Sequence, residues 1–270
     1  MIIGNRKLDV GNKCYIMGIL NVTPDSFSDG GLWQDTDKAV RYAEDMIRDG
    51  ADIIDVGGES TRPGYKSISD QEELDRVIPV IEAIRKRSDI PISVDTYKSI
   101  VADAALKSGA SMVNDIWGLK FDADMAKVIA RNSVPCCLMH NRLKQDYKNF
   151  MQDIISDLHE SVSIALKNGI DFSNIILDPG IGFAKSYEMN LQAINRLDLI
   201  AQIGYPVLLG ASRKSLIGLT LNLPTDQRVE GTIATTVIAI MRRASFVRVH
   251  DVLETKRAIA MAEAILNKSL

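Results

Sequence analysis

Residues 52–64 read Asp-Ile-Ile-Asp-Val-Gly-Gly-Glu-Ser-Thr-Arg-Pro-Gly. A short run, apolar apart from Asp55, gives way to glycines and polar residues. A stretch follows in which Leu74, Val77, Ile78 and Ile81 recur at helical spacing. This is a strand, a loop and a helix in succession. The run is too short for a helix and shows no regular polar alternation, which suits a strand covered on both faces.

The same unit recurs in both directions along the chain. Further runs lie at Tyr15–Leu20, Ile92–Val94, Ser111–Val113, Val134–Met139, Ile175–Leu177, Val207–Leu209 and Phe246–Val249, each ending in polar residues or glycine. Helical periodicity fills the gaps. Ala39, Tyr42, Ala43, Met46 and Ile47 share one face, as do Ile155, Leu158, Val162 and Ala165. Two further faces are Ile233, Thr236, Val237, Ile240 and Met241, then Val252, Thr255, Ile259, Ala262 and Leu266. Pro79 interrupts the stretch after residue 70, where it is expected to kink the helix or move its start. Eight strands alternating with helices predict a parallel sheet. It could be open and doubly wound, or closed as a (β/α)8 TIM barrel. Polar residues after nearly every strand, not at one switch point, favour the barrel, and there is no glycine fingerprint for a dinucleotide. Gly4–Asn5 and Gly11–Asn12 are turn signals, predicting a short N-terminal hairpin that closes the barrel bottom. No linker, low-complexity tract or charge block divides the chain, so residues 1–270 read as one domain.

The 270 residues are 46% hydrophobic and 25% charged, with a formal net charge of -3. No basic face is implied, which argues against nucleic acid as a partner. No run is apolar for the ~20 residues of a membrane span, and MIIGNRKLDVG lacks the core of a signal peptide. No membrane association is expected, and cytoplasmic residence is the default. Cys14, Cys136 and Cys137, an odd number in or beside apolar runs, read as reduced buried thiols.

The strand exits carry the chemistry. In order they present Asn21, Asp55, Asp95, Asn114-Asp115, His140-Asn141, Asp178, Ser212-Arg213-Lys214-Ser215, and Arg248-Val249-His250-Asp251. A lone carboxylate there is often only a helix cap, and Asp115 and Asp251 fit that description. Seven side chains converging on one mouth, namely Asn21, Asp95, Asn114, Asp178, Lys214, Arg248 and His250, exceed what capping explains. Carboxylates, an amide and an ammonium suit a flat heterocycle with a guanidine-like edge. Arg248 adds a planar cation for stacking or phosphate binding, and Arg62, Arg213 and His250 add positive character for an anionic leaving group. Residues 212–215, at a strand-to-helix turn, present backbone N–H groups that favour anions. Oxygen donors, chiefly Asn21 and nearby Asp side chains, suit Mg²⁺ and not Zn²⁺. His140, His159 and His250 are too scattered for a zinc motif, and His159 reads as a solvated helix residue.

Six motifs in order give a specific resemblance. They are Asn-Val-Thr-Pro-Asp-Ser-Phe-Ser-Asp-Gly-Gly (21–31), Asp-Val-Gly-Gly-Glu-Ser-Thr-Arg-Pro-Gly (55–64), Ser-Val-Asp-Thr (93–96), Asp-Pro-Gly-Ile-Gly-Phe (178–183), Ser-Arg-Lys (212–214) and Arg-Val-His (248–250). Together they resemble the dihydropteroate synthase family from Tyr15 onward. The resemblance implies a (β/α) barrel that joins 7,8-dihydropterin-6-ylmethyl diphosphate to 4-aminobenzoate, giving dihydropteroate and pyrophosphate. It implies that Asp95, Asn114, Asp178 and Lys214 hold the pterin, with Arg248 on its face. Asn21, Thr61, Arg62, Arg248 and His250 would meet the diphosphate, with Mg²⁺ on Asn21. Phe27, Pro63, Phe183 and Ser215 would form the aminobenzoate site. Asp95, Lys214, Arg62, Asp29 and Phe27 would carry catalysis, Asp95 by stabilising the methylene cation left when diphosphate departs. A homodimer is a further implication.

The segment Thr23–Gly31 is long for a βα connection, which usually runs ~2–6 residues. With Gly30 and Gly31 for freedom, it is expected to act as a lid, bringing Phe27 over the aminobenzoate and Asp29 toward the metal. The chain departs from the family pattern at Ile116-Trp117-Gly118 and at Arg242-Arg243, where a glycine is more usual before Ala244. Two rival readings are a pterin-binding methyltransferase domain and a non-catalytic barrel. The two long loops after the first strands argue against the former, and the presence of Lys214, Asp95 and Arg62 against the latter.

Overall fold

The structure is a computed structural model that describes residues 1–23, 31–60 and 67–266. An antiparallel hairpin of β1 (Ile2–Ile3) and β2 (Arg6–Lys7) opens the chain. Eight parallel strands follow: β3 (Tyr15–Asn21), β4 (Ile53–Gly57), β5 (Ile92–Asp95), β6 (Met112–Asp115), β7 (Cys136–Met139), β8 (Ile175–Asp178), β9 (Leu208–Leu209) and β10 (Phe246–Val249). Their order is β8-β7-β6-β5-β4-β3-β10-β9, and a parallel bridge between Leu177 and Val207 joins the two ends. The barrel is thereby closed, with Leu177 N–H donating to Pro206 C=O at 2.9 Å.

Helices return the chain after each strand: α1 (Gly31–Asp49), α2 (Asp70–Arg85), α3 (Ser99–Lys107), α4 (Met125–Asn132), α5 (Phe150–Lys167), α6 (Tyr187–Asn195), α7 (Leu197–Ala201), α8 (Ser215–Leu221), α9 (Val229–Met241) and α10 (Val252–Leu266). Pro79 lies within α2, whose start is set instead by Ser69, its hydroxyl accepting from Glu72 N–H.

The strands do alternate, but between two buried environments. One set, including Ile16, Leu20, Ile54, Val56, Ile92, Val94, Leu138, Leu177 and Val247, packs outward in the core shared with the helices. The other set points inward. Met17, Ile53, Met112, Cys137, Ile176, Leu208 and Phe246 fill the lower barrel with Ile3 and Leu8. The hairpin is therefore the bottom plug that its turn signals predicted, and each large apolar side chain buried there contributes ~1.5–3 kcal/mol.

Two helix faces differ from the periodic reading. On α5 the buried position is Ile154, with Ile155 only partly covered. On α9 the buried residues are Thr232, Thr236 and Ala239, so the small side of the helix meets the barrel and Met241 is 63% exposed. Thr232 earns its burial with polar contacts, accepting from Arg213 N–H at 3.1 Å and donating to Arg228 C=O at 3.0 Å.

Candidate active site

Following the inward parity two residues further up each strand changes its chemistry. Above Ile53 comes Asp55, above Met112 comes Asn114, above Ile176 comes Asp178, and above Phe246 comes Arg248. On β5, Ser93 and Asp95 take these places. The barrel is thus apolar below and charged at its mouth, on the C-terminal side of the strands.

Arg248 organises this layer. Its Nε donates to Asp55 Oδ2 and its Nη2 to Asp95 Oδ2, both at 2.6 Å. Asn114 Nδ2 donates to the same Asp55 oxygen at 3.1 Å. Asp55 is wholly buried, and its Oδ1 has no hydrogen-bond partner. A buried ion pair of this kind gains little net stability against its desolvation cost, so function is the better reason for its presence. Burial alone would lower the Arg248 pKa, but Asp55 and Asp95 outweigh it and raise it. Burial pushes the Asp95 carboxyl up to about 7; Arg248 pulls it back, while Asp55 and Glu73 push it further up.

Across the mouth stand Asp178 and Lys214. A Cβ built on Gly210 would lie 3.7 Å from Asp178 Oδ2, 3.9 Å from Lys214 Nζ and 3.9 Å from the Arg248 Cβ. The side chain missing at Gly210 leaves these three groups facing one space. Asp178 Oδ1 accepts from Gly180 N–H at 2.7 Å. Burial raises the Asp178 pKa, with Lys214 and that N–H opposing. Burial pulls Lys214 down to about 8, with Asp178 opposing. The Lys214 ammonium also donates to Ile181 C=O and stands 4.9 Å from the centre of the Phe183 ring.

On the neighbouring exits, Ser212 Oγ and His250 Nδ1 are 3.0 Å apart, and His250 N–H donates to Ser212 Oγ. Ser215 opens α8 at the surface. Asn21 ends β3, and its Oδ1 would lie 3.8 Å from a Cβ on Gly57, whose other near neighbour is Asp95 Oδ2 at 3.5 Å. Asn21 and Asp95 therefore flank one point on the rim.

The structure brings Asp178, Lys214, Arg248 and Phe183 around one space, Asp95 and Asn114 to Arg248 and Asp55, and Asn21 to the rim beside Asp95. His250 stands against Ser212 on the neighbouring exits, and Ser215 lies exposed at the start of α8. Phe27, Asp29, Thr61, Arg62 and Pro63, and with them the expected lid, lie outside the described residues. Arg213 does not lend its charge to the mouth as expected, because its guanidinium makes a two-point pair with Asp251, at 3.0 Å through Nε. Asp251 is accordingly more than a cap. Asp115 does act locally, accepting from Trp117 N–H and Leu119 N–H.

Three groups escaped the sequence reading. Asp55 was visible as a strand-end residue, but only the packing shows that it shares the inward parity of Ile53. Lys98, buried, meets Glu59 Oε2 and Glu73 Oε2 at 2.7 Å each, and Tyr97 O–H donates to Glu59 Oε1 at 2.6 Å. His140 is buried between Asp157 and Lys185. The latter two depend on contacts between strand exits and residues distant in sequence, among them Glu73 on α2 and Asp157 on α5, and left no local signal.

Chemically, the mouth offers a carboxylate and an ammonium side by side, an amide, and a guanidinium bridging two further carboxylates. That suits a flat, polar ring with donors along one edge, held next to a centre where positive charge develops.

The model for "Pterin binding enzyme" matches residues 17–250. The dihydropteroate synthase of Clostridium beijerinckii is 59% identical over 269 residues, 99% of this chain and 100% of that one. That of Bacillus subtilis is 56% identical over 261 residues, 97% of this chain and 92% of its own. Among solved structures, dihydropteroate synthase from Clostridium difficile in the presence of pteroic acid superposes with a TM-score of 0.95 at 50% identity, covering 97% of this chain and 100% of that one. The Xanthomonas albilineans enzyme in complex with 7,8-dihydropteroate gives 0.88 at 38% identity, covering 95% of each chain.

Proposed function

The chain belongs to the pterin binding enzymes, in the dihydropteroate synthase family, and from that premise we propose how its barrel mouth joins 7,8-dihydropterin-6-ylmethyl diphosphate to 4-aminobenzoate. The observation that carries this reading is the convergence of Asp178, Lys214 and Arg248 on the space above Gly210. Asp178 accepts from the ring amide and exocyclic amine, two donors that a carboxylate matches as a fork. Asn114 meets the neighbouring ring nitrogens, Lys214 donates to the carbonyl side, and Arg248 lies against the ring face. Phe183, beside Lys214, and Ser215 take the aminobenzoate, together with Phe27 and Pro63. His250, Asn21, Thr61 and Arg62 receive the diphosphate.

The reaction breaks the bond between the methylene carbon and the diphosphate oxygen. The electron pair leaves with pyrophosphate, the dihydropterin supports the cation that remains, and the arylamine nitrogen closes the new C–N bond and gives up a proton. Asp95 stabilises the cation in its ionised form. Asp29 and Arg62 complete the catalytic set by resemblance. Each well-aimed group contributes ~2.7–4 kcal/mol, by analogy with oxyanion-hole donors.

Among the described residues no three His, Cys, Asp or Glu side chains converge as a metal cage. Mg²⁺ needs none, since it keeps several waters and is held by one or two protein oxygens plus substrate phosphate. The Asn21 amide oxygen at the rim fits that role. Mg²⁺ there would offset charge on the departing diphosphate.

Residues 1–270 are read as one domain. A homodimer is supported by Met241 on α9 and Met261 on α10, each 63% exposed on two helices that lie together. No described helix is long and apolar enough to cross a membrane. Three buried free thiols support residence in the cytoplasm. The test is to mix both substrates and follow pyrophosphate and dihydropteroate, which should form in equal amounts only when both are present. Pyrophosphate formed without dihydropteroate when both substrates are present would overturn the reading.

A further inference from the structure

His140, next after β7, is buried with its ring between two charged partners. Nε2 faces Asp157 Oδ2 on α5 at 3.1 Å, and Nδ1 faces the Lys185 ammonium at 2.9 Å. Arg142 grips the same carboxylate, Nε to Oδ2 at 2.6 Å and Nη2 to Oδ1 at 3.1 Å. Burial works to raise the Asp157 pKa, but the hydrogen bonds from His140 and Arg142 hold it well below the usual range. An ionised carboxylate only accepts, so the ring proton sits on Nε2 and Nδ1 is a lone pair. The ring is neutral, since burial drives the His140 pKa down to about 4.

Lys185, also buried, donates to that lone pair, and to Gly180 C=O and Phe183 C=O at 2.9 Å each. Three acceptors around Nζ use all three N–H of an ammonium, so the histidine tautomer selects the charged lysine. Burial pulls Lys185 down to about 7, with Asp178 opposing and Lys214 and Arg142 adding to the fall.

Both carbonyls belong to the turn that follows Asp178. That turn could not relax easily. Gly180 has φ +68, and a Cβ there would lie 2.0 Å from His140 C=O. Its N–H is the one that Asp178 Oδ1 accepts. Gly182 N–H donates to Asn190 Oδ1 at 2.6 Å, and Tyr147 O–H to Ala184 C=O at 3.0 Å. The turn therefore wraps around a single ammonium, close enough to Asp178 for the two charges to interact.

We propose that Lys185, oriented by the Asp157–His140 pair, is a positioning residue for Asp178, fixing the turn 179–183 and placing a second positive charge behind the carboxylate that Lys214 faces in front. The proposal rests on the reading of Asp178 as a pterin ligand. The charged groups facing Asp178 are Lys214, Lys185 and Arg248, and those facing Lys185 are Asp178, Lys214, Arg142 and Asp157.

The test is calorimetric titration of wild type, Lys185→Met and Asp178→Asn with 7,8-dihydropterin-6-ylmethanol, the substrate without its diphosphate. It runs from about pH 5.5 to 8.5, with melting temperatures alongside. Lys185→Met should bind about tenfold more weakly at neutral pH, and the pH below which binding fades should rise by about one unit. Turnover at saturating pterin should change less than the affinity. Wild-type affinity and pH dependence in Lys185→Met would overturn the proposal, as would a loss of affinity equal at every pH. If Lys185→Met does not fold, Lys185→Gln, which keeps an N–H donor for the turn, should show the same pH shift. If Asp178→Asn binds as wild type, the pterin reading itself falls. If only Lys185→Met binds as wild type, the positioning role alone falls.

Discussion

Arg248 on the last strand donates through Nη2 to Asp95 Oδ2 on β5 at 2.6 Å, and this contact sets the charge of the mouth. The Asp95 carboxyl, raised by burial to about 7, owes much of its remaining acidity to that guanidinium. Asp95 stabilises a cation only when ionised, so kcat should rise with pH through the neighbourhood of 7. In Arg248→Met the rise should move to higher pH by one unit or more, roughly 1.4 kcal/mol. Rate profiles of both enzymes check this, and an unmoved limb would remove Asp95 from the ionisation that governs turnover.

Asp178 and Lys214 face one space, so each loses a charge-assisted contact if its role is to hold the pterin. Lys214→Ala and Asp178→Ala should each weaken pterin binding by on the order of 1.5–3 kcal/mol. Titration calorimetry measures this directly. Unchanged affinity in both variants would show that the pocket lies elsewhere.

How much of this was legible in the sequence follows from the physics of the strands. Parallel strands covered on both faces show as apolar runs, and the residues after them lie at one mouth by topology, so Asp95, Asn114, Asp178 and Arg248 could be named before the fold was seen. Asp55 could not be ranked, because a carboxylate inside a strand looks alike whether it faces the helices or the barrel axis. Arg213 looked free until Asp251 stood beside it. Lys98 and Lys185 carried no signal, since their burial depends on partners distant in sequence, Glu59 and the α2 residue Glu73 for the first and His140 for the second. On α9 the apolar side read as the buried one, yet the threonine and alanine side is what meets the barrel.

Turnover should require a divalent cation. Asn21 supplies one amide oxygen at the rim, and Mg²⁺ would complete its shell with water and diphosphate. Chelator-treated enzyme should be inactive and recover with added Mg²⁺, whereas pterin binding without diphosphate should be unaffected. Full activity in chelator would exclude the metal from the reaction.

Arg243 has φ +68 at the end of α9, in the left-handed position of a helix-terminating turn. Its N–H donates to Ile240 C=O, and Ala244 N–H donates to Ala239 C=O at 2.9 Å, the paired bonds of that motif. Glycine takes this conformation without a Cβ penalty of ~1–2 kcal/mol, partly offset by its unfolded-state freedom. Arg243→Gly should therefore raise the melting temperature with kcat unchanged. A lower melting temperature would mean that the arginine side chain makes a compensating contact.

The central claim is that diphosphate leaves before the amine attacks, with Asp95 stabilising what remains. Substrate labelled with heavy oxygen between the methylene and the diphosphate, incubated with enzyme and Mg²⁺ but no 4-aminobenzoate, tests it most directly. Departure and return should scatter the label into non-bridging positions of the recovered substrate, and Asp95→Asn should suppress that scattering together with turnover. Label that stays in place, in an enzyme that turns over normally once 4-aminobenzoate is added, would contradict the account.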